Sequence, residues 1–317
     1  METENYREYF SRNQGLFRPE EQERIRKATV LIIGLGGVGG TVAALLARSG
    51  VSRFILVEFD RFEPANMNRQ VFCFTDTLGR NKAEAAGEYI RRINPGAEVE
   101  VHSRLLSHEE VFKLAARADL VFPAADDFAY SLFCFRGVQE MGKPALLVVP
   151  SGFWACVSII KPDGHSAESI HGVPRGLDYE GLKKIFTEKR YKLATYYNYV
   201  VQGRWRKDYY RDFIEEGRPL TQVAPVVWLA SSLGAWEALK FLTGKEKAVT
   251  APRYYWVSRK GVSIQRLNGF NLNSFFILQR KIFWRLFQGP LGGIIERLEM
   301  WWWNRVKGER SKVKGES

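Results

Sequence analysis

The sequence has few cysteines, and no two of them are spaced to hold a zinc ion. Cys73, Cys134 and Cys156 are far apart, and no Cys-x-x-Cys motif is present. These features exclude a disulfide-rich secreted scaffold, argue against a structural zinc site and favour a reducing compartment. All three cysteines lie among apolar residues and are expected in the core. Cys73, which is nearest to the polar loop described below, is the best placed of them for a thiol role.

The sequence also shows no signal peptide and no membrane span. The segment 1–12 is charged and lacks the apolar centre of a signal peptide. The uncharged segment 221–236 is too short and too rich in Ser, Gly and Pro to cross a bilayer. We therefore expect a cytoplasmic protein.

The sequence has fewer acidic than basic residues. It contains 35 Asp and Glu and 47 Lys and Arg, which gives a net charge of +12 at pH 7. Such an excess favours binding to nucleic acid, anionic lipid or an acidic protein surface. Part of it lies in the segment 269–317, a basic, Trp-rich tail with an amphipathic pattern. That pattern is typical of peripheral contact with a membrane surface, and equally of packing on a partner subunit or on the same domain. No recognised nucleic-acid motif accompanies the charge, so tRNA is the less favoured partner.

The clearest motif begins in the first apolar strand pattern. Residues 30–33 are apolar, the glycine-rich sequence GLGGVG follows at 34–39, and a small-residue helical pattern continues to residue 49. This is the layout of a dinucleotide-binding βαβ unit, in which the glycines permit a tight turn and the helix N-terminus binds phosphate. Taken alone, the motif fits NAD, FAD or a nucleoside triphosphate.

Strand and helix patterns alternate from this motif to residue 149, which predicts a Rossmann-like, doubly wound, mostly parallel α/β sheet. Residues 1–27 precede it as an N-terminal arm and helix. The main domain is expected to cover 28–268, with a buried helix at 225–243 and further strands as an additional C-terminal region. The charged, Tyr-rich segment 162–220 is a long insertion, either a solvated surface excursion or a functional crossover or substrate loop.

Charged residues follow several predicted strands. Glu58 ends the second strand and Arg69 lies in the loop after it. Lys82 begins the next helix, and Asp126 follows a later strand. Because the carboxyl ends of parallel strands meet at one edge of a sheet, these side chains are expected to converge there. A glycine turn, an Arg, a Lys and a carboxylate able to hold Mg²⁺ are the parts needed to orient a triphosphate, whereas an NAD dehydrogenase needs only the turn and Glu58.

The order and spacing of these motifs resemble the ThiF/MoeB/HesA adenylyltransferases, which are related to the ubiquitin-activating enzymes. The matching features are GLGGVG at 34–39, Glu58, the segment Asn66-Met67-Asn68-Arg69-Gln70, the segment Gly79-Arg80-Asn81-Lys82, and Asp126. A segment at 10–14 and the late helix at 225–243 are similar as well. The resemblance covers roughly residues 9–244.

This resemblance implies a set of residue roles. The residues expected to bind ATP are Gly34, Gly36, Gly37, Gly39, Glu58, Asn66, Arg69 and Lys82. Catalysis is expected to involve Arg12, Arg69, Lys82 and Asp126. Asp126 would hold Mg²⁺, and Arg12 would come from the neighbouring subunit of a homodimer.

The reaction implied by the family is attack of a substrate carboxylate on the α-phosphate of ATP, which gives an acyl-adenylate and pyrophosphate. The substrate would be the C-terminus of a small ubiquitin-like sulfur carrier protein or of a peptide. Alternatives are an ATP-dependent enzyme like the tRNA threonylcarbamoyladenosine dehydratases, and a nucleotide-binding scaffold without catalysis.

The chain departs from the family pattern at three places. Asp-Gly-His-Ser at 163–166 replaces the usual paired-cysteine zinc site, so no zinc is expected. The insertion has no cysteine to form a thioester, and His165 and His171 are expected at the surface rather than as metal ligands. Asp127 stands where an asparagine is common, which places a further negative charge near the expected metal.

Overall fold

The computed structural model describes residues 2–188 and 200–270, together with positions 274–275, 277–279, 281–282, 286, 293–294, 297–298 and 301. Most of the basic, Trp-rich tail at 269–317 lies outside the described residues, so its helices and its membrane or partner contacts stay predictions. Within the described part of the chain, no helix is both long and apolar enough to span a membrane.

Eight strands form one sheet. The strands are β1 (Thr29–Ile33), β2 (Arg53–Val57), β3 (Glu98–His102), β4 (Leu120–Pro123), β5 (Ala145–Ser151), β6 (Trp154–Ile160), β7 (Arg253–Ser258) and β8 (Gly261–Arg266). Their order is β3-β2-β1-β4-β5-β6-β7-β8. The first five pair in parallel and the last three pair antiparallel. This confirms the predicted Rossmann-like, mostly parallel sheet with an additional C-terminal region, and the strand order reverses between β1 and β4, where such sheets bind ligands.

Helices cover both faces of the sheet. The helices are α1 (Glu2–Tyr9), α2 (Pro19–Lys27), α3 (Gly37–Arg48), α4 (Lys82–Ile93), α5 (His108–Ala116), α6 (Phe128–Glu140), α7 (Ala167–His171), α8 (Tyr179–Thr187), α9 (Lys207–Glu215) and α10 (Ala224–Thr243). Alternate residues of β1 enter different cores: Val30 and Ile32 pack towards α3, α4 and α10, and Leu31 and Ile33 pack towards α5, α6, α8 and α9. The near-continuous apolar strands therefore reflect a sheet that is buried on both sides.

The segment 162–220 contributes to the core, and its interpretation as a solvated surface excursion is wrong for the residues that the structure describes. Leu182, Ile185 and Phe213 are at most 4% exposed and belong to the same apolar cluster as the sheet. These side chains recur at helical spacing in α8 and α9, which makes both helices amphipathic. The short helices are separated by turns, and this obscures the periodicity in the sequence.

The N-terminal arm is attached at the end of α3 that is farther from the glycine turn. The Tyr6 hydroxyl donates to the carbonyl oxygen of Gly50 at 2.7 Å, and the Asn13 amide donates to that of Ser49 at 3.0 Å. In α2, Arg24 Nη1 donates to the carbonyl oxygen of Thr243 at 2.6 Å. The arm therefore lies where α3 and α10 both end.

Candidate active site

The glycine-rich turn between β1 and α3 forms the centre of the site. Gly34 has a φ of +99°, and a Cβ there would lie 2.5 Å from the carbonyl oxygen of Ala124. A Cβ at Gly39 would lie 1.8 Å from the carbonyl oxygen of Gly34. Because a side chain at either position would displace the backbone, glycine is required for this close approach. The first turn of α3 consequently presents its unpaired N–H groups at the carboxyl edge of the sheet.

The middle of the turn faces the loop that follows β2. A Cβ on Gly36 would lie 3.7 Å from the Gln70 amide nitrogen and 3.9 Å from an Asp126 carboxylate oxygen. A Cβ on Gly37 would lie 3.2 Å from the Arg69 side chain. The fold thus brings the Gln70 amide, the Asp126 carboxylate and the stem of the Arg69 side chain around this part of the turn.

Glu58 follows β2 directly and contacts the same turn. One carboxylate oxygen accepts a hydrogen bond from the Leu35 N–H at 3.1 Å, and the other accepts from the Asp60 N–H at 3.0 Å. Burial raises the pKa of Glu58, and the hydrogen bond from Asp60 and the charge of Lys82 offset part of that rise. A half-buried carboxylate in this position can still accept hydrogen bonds from the hydroxyls of a ribose.

Lys82 begins α4 and is held beside the loop after β2. Its side chain is 4% exposed, and Nζ lies 3.1 Å from an Asp60 carboxylate oxygen. The preceding Asn81 caps the helix, because its side-chain oxygen accepts from the N–H groups of Ala83 and Glu84. Its amide nitrogen donates to the carbonyl oxygen of Glu58 at 3.0 Å, which fixes the start of α4 against the site.

Arg69 is held entirely by neutral acceptors. Its Nε donates to the Gln222 side-chain oxygen at 2.7 Å, and Nη1 donates to Ala65 and Asn68 oxygens at 3.1 and 2.9 Å. The Trp228 indole donates to the Arg69 carbonyl oxygen at 2.9 Å. Within residues 2–188 and 200–270, no carboxylate forms an ion pair with Arg69. Its positive charge is therefore available to a bound anion.

Asp126 and Asp127 have different environments. Asp126 is exposed, and its carboxylate has no hydrogen-bond or ion-pair partner among the residues that the structure covers. Asp127 caps α6, since it accepts from the Tyr130 N–H at 3.0 Å and from the Tyr179 hydroxyl at 2.9 Å. Burial and this hydrogen bond raise the pKa of Tyr179 to about 12. The Asp127 carboxylate therefore caps α6, whereas the Asp126 carboxylate has no partner among the described residues.

Two clefts meet at the loop between β4 and α6. The first cleft has a volume of about 200 Å³ and is lined by Gly36, Glu58, Asp60, Leu106, Tyr130 and Tyr179 among others. The second cleft lies between the ends of β4 and β5. Both clefts are lined by Ala124, Ala125 and Asp126. A ligand in the first cleft and one in the second would meet beside Asp126.

Arg12 is not brought to this site within its own chain. It is exposed on the short turn Ser11–Asn13, and its neighbour Asn13 contacts Ser49 beyond the end of α3. The glycine turn lies at the other end of that helix, and a helix of 12 residues is about 18 Å long. Arg12 could reach a glycine turn only in a second copy of the chain.

Several contributors to the site had no signal in the sequence pattern. Asp60 pairs with Lys82, and Gln222 and Trp228 hold Arg69. Asn66, by contrast, was predicted to bind phosphate, and its side-chain oxygen accepts from the Glu63 N–H at 3.1 Å. Its amide nitrogen is the group that could face a ligand.

The three cysteines and His171 are all buried. All three cysteines are buried, and burial raises the thiol pKa of Cys73 and raises that of Cys134 to about 12. His171, which was expected at the surface, is 4% exposed and packs edge-on against the Phe128 ring, so that expectation is wrong. Among the described residues, no group of three or more His, Cys, Asp and Glu side chains could hold a metal ion.

The chain matches one protein family over most of its length. The sequence profile of the ThiF family matches residues 10–273. The chain is 36% identical to the sulfur carrier protein adenylyltransferase of Thermus thermophilus over 126 residues, which are 40% of this chain and 46% of that protein. It is 33% identical to protein HesA of a Nostoc species over 158 residues, which are 46% of this chain and 63% of that protein.

A similar fold occurs in E. coli MccB, whose crystal structure was solved with ATP. The two share a TM-score of 0.57 and 20% identity over 78% of this chain and 65% of that one. The matched part spans about half to two thirds of the length of the two curated relatives. Because the family profile covers far more than half of the sequence, the chain belongs to the ThiF family.

Proposed function

We propose that the protein is an ATP-dependent adenylyltransferase that activates a substrate carboxylate. A carboxylate oxygen attacks the α-phosphorus of ATP, the bond from that phosphorus to the bridging oxygen breaks, and an acyl-adenylate and pyrophosphate form. The observation that carries the proposal is that Arg69, which has no ion-pair partner among the described residues, and the unpaired Asp126 lie beside the glycine turn of a ThiF-family sheet, while the buried Lys82 pairs with Asp60 in the wall of the first cleft. A dehydrogenase has no physical need for two cations at this edge of the sheet.

The substrate carboxylate is proposed to be the C-terminus of a small carrier protein or of a peptide. The relative from Thermus thermophilus is named for a sulfur carrier protein, and this supports the choice. A peptide carboxylate is already ionised at neutral pH, so it needs no general base to attack phosphorus. The work of the protein is then to position the reactants and to stabilise charge on the phosphates.

The proposed roles follow the contacts of each side chain. Glu58 accepts hydrogen bonds from the ribose, and the N–H groups of the glycine turn bind phosphate oxygens. The guanidinium of Arg69, which has no ion-pair partner among the described residues, binds phosphate, and Lys82 supplies a second positive charge. The side-chain amide of Asn66 donates a hydrogen bond to the same phosphate. In this arrangement the first cleft holds the nucleoside and the phosphates extend towards Asp126.

Asp126 fits the role of a Mg²⁺ ligand. Mg²⁺ prefers oxygen ligands and is commonly held by one or two carboxylates together with substrate phosphates and water. Asp126 is an exposed carboxylate without a competing partner in the described structure, and it lies at the junction of the two clefts. When bound, Mg²⁺ would neutralise charge on the phosphates of ATP.

We further propose that the protein acts as a homodimer in which each subunit supplies Arg12 to the other. Helices α3 and α10 run in the same direction, because Val227 lies beside Gly37 at one end and the arm contacts Ser49 and Thr243 at the other. A two-fold axis perpendicular to α10 would bring the arm end of one copy to the glycine turn of the other.

The exposed side of α10 supports this arrangement. Trp228, Leu229 and Trp236 are 44%, 41% and 56% exposed and recur at helical spacing on that side. Large apolar side chains that cluster on a surface are typical of an interface. Residue 232, about halfway along the cluster, is the expected position of the axis. A second copy would therefore both cover the tryptophans and supply Arg12 to the site.

Binding of Mg–ATP tests the nucleotide part of the proposal. A ligand that binds only the folded protein raises the melting temperature, and saturating Mg–ATP at about 100 times its Kd would add about 2.7 kcal/mol of stability. We expect Mg–ATP to stabilise the protein and NAD to have no effect. Asp126→Ala should weaken the stabilisation by Mg–ATP, whereas Asp163→Ala, which changes an exposed carboxylate away from the clefts, should leave it unchanged. Stabilisation by NAD alone would contradict the proposal.

A further inference from the structure

The second cleft has apolar walls. Val38, Phe128, Phe135, Val148 and Val149 line it, together with the ends of β4 and β5. The cavity is about 90 Å³, which is enough room for several water molecules. Its position between two strand ends, with Asp126 in its lining, places it next to the first cleft rather than at a remote surface.

A buried hydroxyl without a partner also lines the second cleft. Ser151 is 3% exposed, and its Oγ makes no hydrogen bond to any described residue. A buried polar group left in this way costs free energy unless a ligand or water satisfies it. Ser151 is therefore a residue of the cleft wall whose hydroxyl is not used by any described residue.

The described residues that line the second cleft include no cation that could neutralise an anionic group. Of the residues that line it, Asp126 alone carries a charge, and it lies where the two clefts join. Gln222, which also lines the cleft, is neutral, and its side-chain oxygen accepts a hydrogen bond from Arg69. A carboxylate placed among the apolar walls would lose its hydration without gaining a counter-charge.

We propose that the second cleft binds the side chain of the last residue of the substrate, and that this residue is apolar and about the size of valine rather than glycine. The Ser151 hydroxyl donates a hydrogen bond to a peptide carbonyl of the bound terminus. The proposal rests on the proposed function, because it requires the terminal carboxylate to meet the α-phosphate of ATP beside Asp126. The cleft would make the enzyme select substrates by the side chain of their C-terminal residue.

The test uses stable mimics of the acyl-adenylate, in which a sulfamate replaces the phosphate. N-acetylglycyl, N-acetylvalyl and N-acetylaspartyl sulfamoyladenosine are titrated into the full chain in a calorimeter, with unacylated sulfamoyladenosine as the reference. Burying the side chain of valine should make the valyl compound bind about tenfold or more tighter than the glycyl compound. The aspartyl compound should bind more weakly than the glycyl compound.

A pair of matched substitutions locates the preference. Val149→Phe fills the second cleft and should abolish the advantage of the valyl compound while the affinity for unacylated sulfamoyladenosine is retained. Val262→Phe makes the same change on an exposed part of β8 and should leave the preference intact. Equal binding of the glycyl and valyl compounds to the wild type would overturn the cleft proposal alone. Failure of sulfamoyladenosine and ATP to bind would overturn the proposed function, and the cleft proposal with it.

Discussion

Replacing Lys82 with alanine is expected to lower the rate of ATP–pyrophosphate exchange by about 10²- to 10³-fold, the usual cost of removing one group that stabilises transition-state charge. Lys82 is nearly buried beside the loop after β2, and its Nζ lies 3.1 Å from an Asp60 carboxylate oxygen, so its charge is held in one place. The exchange is measured with radiolabelled pyrophosphate in the presence of Mg–ATP and a carboxylate substrate.

The fold of this variant should survive. Asp60, the partner of Lys82, keeps 45% of its side chain exposed, so water can solvate the carboxylate that the substitution leaves unpaired. Lys113→Ala removes a lysine of α5 that is 72% exposed and is the matched control, with unchanged exchange expected. Retained exchange in the Lys82 variant, with an unchanged melting temperature, would remove Lys82 from the mechanism.

Mixing two inactive variants is expected to restore activity. As homodimers, Arg12→Ala and Lys82→Ala should each lower the exchange rate by about 10²-fold or more. In a mixed dimer, the Arg12→Ala subunit keeps its own Lys82 and receives Arg12 from its partner, so one of two sites is complete. After random exchange of subunits at equal amounts, the mixture should recover about a quarter of the wild-type activity, as expected for a two-fold dimer with shared sites.

The control for this experiment lies on the same arm. Arg7 is exposed on α1, and Arg7→Ala should remain active on its own. A mixture that stays as inactive as its two components would show that Arg12 does not act across the interface. Full activity of the Arg12→Ala homodimer would show that Arg12 has no part in the site.

The sequence was sufficient for the sheet and for the turn at its centre. The apolar run before GLGGVG is a local feature, and it forms the buried strand β1 that its pattern predicts. Local patterns are reliable where a strand is buried on both faces or where a helix end needs a capping group.

The parts that could not be predicted depend on contacts between distant residues. Gln222 holds Arg69 from 153 positions further along the chain, and no spacing rule connects them. The core role of α8 and α9 was missed because each helix is only 9 residues long, so its apolar stripe repeats too few times to stand out. The burial of His171 likewise follows from packing against α6 rather than from its own neighbours in sequence.

The most direct test of carboxylate activation is ATP–pyrophosphate exchange with matched peptides. One peptide carries a free C-terminal carboxylate and ends in valine, and its control has the same sequence with a C-terminal amide. The account predicts that the free carboxylate supports exchange and that the amide supports none, because only an ionised carboxylate can attack the α-phosphorus of ATP. Exchange that proceeds equally with the amide, or Mg–ATP binding with no exchange for free carboxylates ending in valine or in glycine, would contradict it.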